Sequence, residues 1–166
     1  MPSTPERIVV SNTSPLLYLH QVGSLDVLRE LYGRIRIPSA VRVELQAGAG
    51  QGVAVPDVLA LGWIDEQALT DRVLLPAVID LGPGEAEAIA LALSAPHSLL
   101  ILDDRLGRRI ARLAGVTYTG TLGVLLRAKQ AGLLPRVAPV IERLRDTTMH
   151  LTPELIEMVL KDAGEA

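Results

Sequence analysis

The chain alternates between short apolar runs and longer segments in which apolar residues recur every three or four positions. Short runs rich in Val, Ile and Leu that stop at Gly, Pro or polar residues predict buried strands. The predicted strands lie at residues 7–11, 34–38, 62–69, 98–104 and 116–120. The three-to-four-residue spacing predicts helices between and after them. One or two helices are predicted over residues 14–33, and the other predicted helices lie at residues 39–48, 57–61, 82–95, 105–115, 121–132, 136–145 and 153–163.

Strands that alternate with helices favour a parallel sheet that is covered by helices on both faces. We therefore predict one α/β domain over residues 1–166, with a three-layer α/β/α arrangement and a central parallel sheet of four to five strands. The glycine-rich stretch at residues 48–52 predicts a flexible break between two of its elements.

Composition narrows the class of protein. The chain has 166 residues, of which 49% are apolar, and this is enough to bury a core. It has no cysteine, which excludes disulfides, cysteine-based zinc sites and thiol catalysis. The N-terminal residues lack a basic stretch followed by a long apolar run, and no apolar segment is long enough to span a bilayer. We expect a cytoplasmic protein with no membrane partner.

The net charge of −3 argues against a nucleic-acid binder, but the charge is unevenly distributed. Residues 103–145 are strongly basic, and the segments on either side are acidic. Binding to a polyanion depends on such local fields and not on the total charge. The basic segment therefore keeps nucleic acid among the candidate partners.

Four arginines of this segment follow the spacing i, i+3, i+4, i+7, which places them on one face of one predicted helix. They are Arg105, Arg108, Arg109 and Arg112. A solvated surface is the ordinary meaning of such a face, but four aligned like charges without an interleaved acid repel one another. We interpret the face as a track for a polyanion or an acidic partner, with Arg127 and Lys129 as further phosphate contacts. Aromatic residues are too scarce for a base-stacking platform.

Several familiar motifs are missing. The three glycines of residues 48–52 follow a predicted helix and do not complete a dinucleotide-binding fingerprint, and there is no Walker A sequence. The histidines lack the helical spacing of a metal-binding pair. The sequence neither supports nor excludes a Ser/His/Asp triad. An aspartate pair occurs, but on the wrong strand for a receiver-like signalling domain. The remaining candidates for chemistry are acidic residues and one amide.

Polar residues follow two predicted strands at the edge where open α/β sheets bind ligands. The first strand runs into Ser11-Asn12-Thr13-Ser14, and Asp103 and Asp104 end the strand at residues 98–104. One of the two aspartates is expected to cap the following helix, and two adjacent acids exceed what a cap needs. These positions favour a ligand site.

Three glutamates lie on predicted helices near the same edge. Glu44 falls on the apolar stripe of its helix, where it either extends its carboxylate into solvent or ligates a metal at the rim of a cleft. Glu85 and Glu87 lie in the first turns of the next long helix, where the helix dipole alone would favour acids. They flank an apolar stripe on opposite sides, so that only one can enter a shared site, and we favour Glu85.

The residues that carry these features resemble those of one family. They are VVSNTSPL (residues 9–16), Glu44 in AVRVEL, LGPGEAEAIALAL (81–93), LLILDDRLGRRIA (99–111) and GTLGVLLRAKQAGLLP (120–135). In this order they resemble the PIN-domain superfamily, the fold of VapC-type toxin ribonucleases, and especially its prokaryotic PIN-like branch of nucleic-acid-binding proteins. The resemblance implies a core over about residues 7–125 and C-terminal helices over about 121–163.

The resemblance also implies a site and its partners. Asn12, Glu44, Glu85, Asp103 and Asp104 would bind Mg²⁺ or Mn²⁺, with Glu44, Glu85 and Asp104 catalytic. Ser14 would brace the first position, and Glu87 would support the site. The implied activity is hydrolysis of single-stranded RNA by a metal-activated water, in a toxin that a small antitoxin holds inactive and that forms a homodimer.

The sequence departs from the family pattern at Asn12, where a carboxylate is expected. An amide oxygen still ligates a hard cation, but it brings no negative charge. Two functions therefore remain open. The first is the metal-dependent ribonuclease, and the second is a PIN-like module that binds nucleic acid or protein without efficient catalysis.

Overall fold

A computed structural model of the chain describes residues 7–75, 77 and 80–166. Residues 1–6, on which the prediction about secretion partly depends, lie outside the described residues. Within the described residues, five parallel strands form one sheet: β1 (Val9–Ser11), β2 (Ile35–Pro38), β3 (Ile64–Gln67), β4 (Leu99–Ile101) and β5 (Thr117–Thr119).

Helices connect and cover these strands. Those of the described residues are α1 (Thr13–Gln21), α2 (Asp26–Tyr32), α3 (Ser39–Gly50), α4 (Pro83–Leu93), α5 (Arg105–Leu113), α6 (Thr121–Gln130), α7 (Ala138–Leu144) and α8 (Pro153–Asp162). Short 3₁₀ turns occur at Val58–Ala60 and Arg72–Leu74. No helix of the described chain combines the length and apolar character needed to cross a membrane.

The strand order is β3-β2-β1-β4-β5, so β1 lies at the centre. The chain first builds outward from β1 to β3 and later returns to the other side of β1 with β4. Val9, Val10 and Ser11 of β1 pair with Leu99, Leu100 and Ile101 of β4. The strand order therefore reverses between β1 and β4, and open α/β sheets bind ligands at the carboxyl ends of strands at this point.

Two apolar clusters lie on opposite faces of the sheet because successive side chains of a strand point to opposite faces. Val9 and Ile101 belong to the larger cluster, with residues of α1, α2, α3, α6, α7 and α8. Val10 and Leu100 belong to the smaller cluster, with residues of α4 and α5. The three-layer α/β/α prediction is confirmed, and the sheet has the larger of the two predicted strand numbers.

The predicted end of the helix that begins at Ser39 is wrong. Residues 48–50, taken as the start of a flexible break, continue α3 to Gly50. A glycine in a helix costs only about 1 kcal/mol relative to alanine. Here Val55 packs over Gly48, where an added Cβ would lie 3.4 Å from a methyl group of that valine. Packing and the helical hydrogen bonds therefore outweigh the local preference of the glycines.

Candidate functional site at the carboxyl ends of β1 and β4

Asn12 occupies the first position after the central strand. Its backbone N–H donates to the carbonyl of Ile101 at 3.0 Å, which extends the pairing of β1 with β4 by one residue. The residue is 1% exposed and precedes α1 as its N-cap, but its side chain accepts no capping hydrogen bond from that helix. The amide side chain is therefore available for another role in the interior.

Glu44 reaches from α3 to two other helices instead of extending into solvent. Its carboxylate accepts a hydrogen bond from the Thr13 hydroxyl of α1 and one from the Gly84 backbone N–H of α4, the latter at 2.9 Å. A Cβ at Gly84 would lie 2.7 Å from a carboxylate oxygen of Glu44, so a side chain at this position would force the carboxylate to shift. Glu44 therefore ties α1 and α4 together beside Asn12.

Glu85 completes the cluster from the first turn of α4. Burial raises the pKa of Glu85 above its ordinary value, and the charges of Glu44 and Asp104 raise it further. Hydrogen bonds from its own backbone N–H and from the Asn12 side chain oppose the rise without cancelling it. The structure thus brings Asn12, Glu44, Glu85 and Asp104 close enough together for their charges and dipoles to interact.

Glu87 turns away from this cluster. It accepts a hydrogen bond from the backbone N–H of Ala40 at 2.8 Å, at the start of α3, and lies 4.0 Å from Arg72. A carboxylate at a helix N-terminus stabilises that helix through its unpaired N–H groups. Of the two glutamates, Glu85 is the one that faces the other acids, and Glu87 caps the N-terminus of α3.

Both aspartates after β4 act as helix caps, each for a different helix. Asp104 accepts from the Gly107 N–H of α5 at 2.6 Å. Asp103 accepts from the N–H of Thr121 at 2.8 Å and from its hydroxyl at 2.6 Å, at the start of α6. The sequence predicts a cap for only one of the two. Both adjacent aspartates therefore accept hydrogen bonds at helix N-termini. The Asp104 carboxylate also remains close enough to Glu85 to repel its charge.

The oxygen donors of this cluster suit a hard divalent cation in their chemistry. Asn12 Oδ1 is the one buried side-chain polar atom of the described residues that has no hydrogen-bond partner. With Glu85 and Asp104 it offers one amide and two carboxylates, and Mg²⁺ commonly takes one or two carboxylates and keeps several waters. Within the described part of the chain, no three His, Asp or Glu side chains are placed to hold a metal ion together.

An open groove of about 630 Å³ lies against the cluster. Glu85, Asp103, Asp104 and Ser14 line it, and Met149 and Met158 stand among the residues of its apolar side. Asn12 is buried and does not line the groove. The sequence predicts that Ser14 braces the Asn12 position. The described contacts instead give the bracing hydroxyl to Thr13, acting on Glu44.

The arginine face divides into two parts. Arg105, Arg109 and Arg112 are exposed. Arg108 is half-buried: its Nε–H donates to the carbonyl of Leu102 at 2.8 Å, and its guanidinium lies 5.6 Å from the centre of the Tyr118 ring. The four arginines nevertheless line one second groove of about 830 Å³. The prediction that they share one face holds, but one of them is fixed inward.

The further phosphate contact predicted at Lys129 is not supported. The Lys129 ammonium pairs with Glu165 at 2.9 Å and also donates to the carbonyl of Ala163. It therefore anchors the segment after α8 to α6, and sequence spacing gave no sign of this distant partner. The contacts of Thr13 and Gly84 with Glu44 were missed for the same reason, although a hydroxyl directly after Asn12 was a signal worth weighing.

Comparisons with known proteins agree with this architecture. A family model described as a PIN domain (DUF3368) matches residues 8–165. Among solved structures, the chain is similar to a PilT N-terminus domain protein from the hyperthermophilic archaeon Sulfolobus solfataricus P2, with a TM-score of 0.51 and 19% sequence identity. The likeness covers 87% of this chain and 97% of that one, and at this identity it concerns the fold alone. A search of curated proteins found no match.

Proposed function

Because the chain belongs to the PIN-domain family, we propose that it is a nuclease that hydrolyses phosphodiester bonds of single-stranded RNA at the cluster around Asn12. Proteins of this family are generally nucleases, and the finer assignment to RNA and to Mg²⁺ or Mn²⁺ is our proposal. The observation that carries it is Asn12 Oδ1, a buried acceptor without a partner beside a carboxylate whose pKa is raised. A buried polar atom left in this way is typical of a ligand position.

The residues of the cluster have different proposed roles: metal ligand, proton acceptor and positioning residue. Asn12 Oδ1, Glu85 and Asp104 would hold the cation, and a bound Mg²⁺ or Mn²⁺ supplies Lewis-acid polarisation of the phosphate and a more acidic water. Glu85 lines the groove, so its carboxylate is placed to accept a proton from an attacking water. Glu44 acts as a positioning residue, because its bonds to Thr13 and Gly84 hold α1 and α4 together.

The test is cleavage of a fluorescent single-stranded RNA with Mn²⁺, with Mg²⁺ and with a chelator. We expect metal-dependent cleavage by the unchanged protein. Glu85→Gln should lower the rate by about 100-fold, the lower range for loss of a general base. Glu87→Gln is the matched control, because it makes the same change two residues along α4 at a side chain that contacts α3 instead. Equal rates in the two variants would contradict the assignment of Glu85.

A binding module without efficient catalysis is the second candidate. It is favoured by the absence, within the described residues, of three acidic or histidine side chains placed to hold a metal. The engagement of Glu44 and Asp103 in structural hydrogen bonds points the same way. RNA binding without cleavage under any metal condition would support this candidate over the nuclease.

For the cellular role, we propose a homodimeric cytoplasmic toxin that a small antitoxin holds inactive. The support is the resemblance of the motifs to VapC-type toxins and the arginine-lined groove, which suits an acidic segment of a partner. Induced expression should arrest growth, and Glu85→Gln should relieve the arrest. Light scattering measures the oligomeric state, and a small reading frame beside the gene would identify the antitoxin candidate.

A further inference from the structure

Arg108 differs from the other arginines of α5 in being held from two sides. Its Nε–H is bound to the carbonyl of Leu102, the residue that follows β4 and precedes Asp103. Its guanidinium lies against the Tyr118 ring, within the range of a cation–π interaction. Two such restraints fix the plane of the guanidinium and leave its terminal nitrogens free of carboxylate partners among the described ion pairs.

Gly120 makes room for this arrangement. An added Cβ there would collide with a terminal nitrogen of Arg108 and lie 2.7 Å from an oxygen of Asp103. The backbone of Gly120 is extended, so its conformation does not itself require glycine. The absent side chain instead leaves room at the start of α6 for the Arg108 guanidinium and for the Asp103 carboxylate, which accepts from Thr121.

Arg108 also stands where the two grooves meet. It lines the groove of about 630 Å³ together with Glu85 and Asp104, and it lines the groove of about 830 Å³ together with the other three arginines. Arg105, Arg109 and Arg112 line only the second groove. A strand that runs from the acidic cluster to the arginine face therefore passes Arg108 first.

We propose that Arg108 stabilises the negative charge that develops on the cleaved phosphate in the transition state, whereas Arg105, Arg109 and Arg112 bind phosphates farther along the strand. The inference rests on the proposed nuclease function and assigns a residue to its reaction centre. A pre-oriented guanidinium needs little reorganisation as the charge develops, and this favours the transition state over the bound substrate. The planar fork of its terminal nitrogens matches two oxygens of a phosphate.

The test separates kcat from KM. Arg108→Gln should lower kcat by about 100-fold, as expected for loss of one pre-oriented donor, and leave KM little changed. Arg108→Lys keeps the charge but loses the planar fork, so kcat should fall in this variant as well. Arg109→Gln should raise KM several-fold with little change in kcat. Arg143→Gln, an exposed arginine on α7, is the charge-matched control.

A second pair of variants tests the restraint from Tyr118 without removing the arginine. Tyr118→Leu removes the aromatic face and should lower kcat by about 10-fold, whereas Tyr118→Phe retains the face and should lower kcat far less. Thermal melting checks that each variant folds. If Arg108→Gln fails to fold, Arg108→Lys and the Tyr118 pair still decide the question.

Binding of single-stranded RNA in a chelator, measured by fluorescence anisotropy, gives a readout without catalysis. Arg108→Gln should bind RNA nearly as well as the unchanged protein, and Arg109→Gln should bind more weakly with a salt slope smaller by about 0.7. A change in KM alone in the Arg108 variants, matching that of Arg109→Gln, would overturn the role of Arg108 and leave the nuclease proposal intact. No cleavage by the unchanged protein would contradict both.

Discussion

Glu85 and Glu165 are two glutamates that are at least half-covered by the protein, and their surroundings shift their pKa values in opposite directions. Burial raises the pKa of both carboxyls. At Glu165 the backbone N–H of Val137, the Lys129 ammonium and the backbone N–H of Ala138 outweigh burial and hold the pKa at about 2. At Glu85 the charges of neighbouring carboxylates add to the effect of burial, and the pKa rises.

The difference shows how a carboxylate that stabilises the fold is distinguished from one that is kept for chemistry. Glu165 is surrounded by donors: Val137 at 2.8 Å, Ala138 at 3.0 Å, Lys129 at 2.9 Å, with Arg136 at 3.5 Å. Glu85 has fewer donors and stands among acids beside an open groove. A carboxylate that the fold supplies with few donors is a candidate for ligand binding, because a cation or a proton would neutralise its charge.

The largest stability effect is expected at the satisfied carboxylate. Glu165→Ala leaves Lys129 and two backbone N–H groups without their acceptor and should lower the free energy of unfolding by about 2 kcal/mol. Denaturant unfolding at neutral pH measures this. Glu157→Ala, at an exposed position of α8, is the control and should change stability by less than about 0.5 kcal/mol. Equal losses of stability in Glu165→Ala and Glu157→Ala would show that the donors around Glu165 do not stabilise the fold.

The stabilisation by Glu165 should disappear in acid. Its pKa in the folded protein is about 2, below the ordinary value of 4.5, so the contribution is complete above pH 4.5 and is lost as the pH falls toward 2. The difference of about 2 kcal/mol between the unchanged protein and Glu165→Ala should therefore shrink across this range. Unfolding curves at a series of pH values test it, and a difference that stays constant would show that ionisation plays no part.

Asn12→Asp would add a further negative charge to the acidic cluster around Glu85. The change replaces a donor to Glu85 by a buried negative charge, so the metal-free protein should lose about 1–2 kcal/mol of stability. In Mn²⁺ the loss should be recovered, and the cation should bind about 10-fold more tightly, because affinity for hard cations follows the number of charged ligands.

Calorimetric titration with Mn²⁺ and thermal melting with and without the cation measure both effects. Asn12→Ala is the control, because it also removes the donor to Glu85 but adds no charge. Equal and negligible Mn²⁺ binding in Asn12→Asp and in the unchanged protein would rule out the metal site and leave a binding module.

The smallest effect is expected at Glu85, and it has the opposite sign. Glu85→Gln removes a carboxylate that the fold disfavours, so stability near pH 7 should rise by a few tenths of a kcal/mol, since solvent screens a half-buried group. A raised pKa penalises the folded state only where the carboxyl ionises, so the gain should vanish as the pH falls to 4.5. Unfolding of Glu85→Gln beside Glu87→Gln checks this, and a loss of stability at pH 7 would contradict it.

The sequence predicted the architecture because the signals for its elements are local. The apolar runs before Ser11 and Asp103 predict β1 and β4. Because the carboxyl ends of parallel strands lie at one edge of the sheet, the sequence also predicts that Asn12 lies near Asp104. The roles of these residues in metal binding and catalysis remain predictions. The local signal is wrong at Gly48 and Gly50, where packing on α3 outweighs the helix-breaking preference of glycine.

The partners of the charged groups were not predictable in the same way, because they depend on contacts distant in sequence. Nothing near Lys129 points to Glu165, and nothing near Glu87 points to Ala40. For Arg108, helical spacing correctly placed it with three other arginines, but only the neighbouring strand end and the Tyr118 ring turn it inward.

The sequence by itself determined where strands and helices lie, that the sheet is parallel and covered on both faces, and which end of it collects polar residues. These follow from hydrophobic periodicity and from the direction of the strands, which are properties of short stretches of chain. The tertiary structure alone decided which carboxylates are satisfied and which are not. That depends on how many donors the fold brings to each one: three hydrogen-bond donors from elsewhere in the chain surround Glu165, whereas Glu85 receives the charges of Glu44 and Asp104.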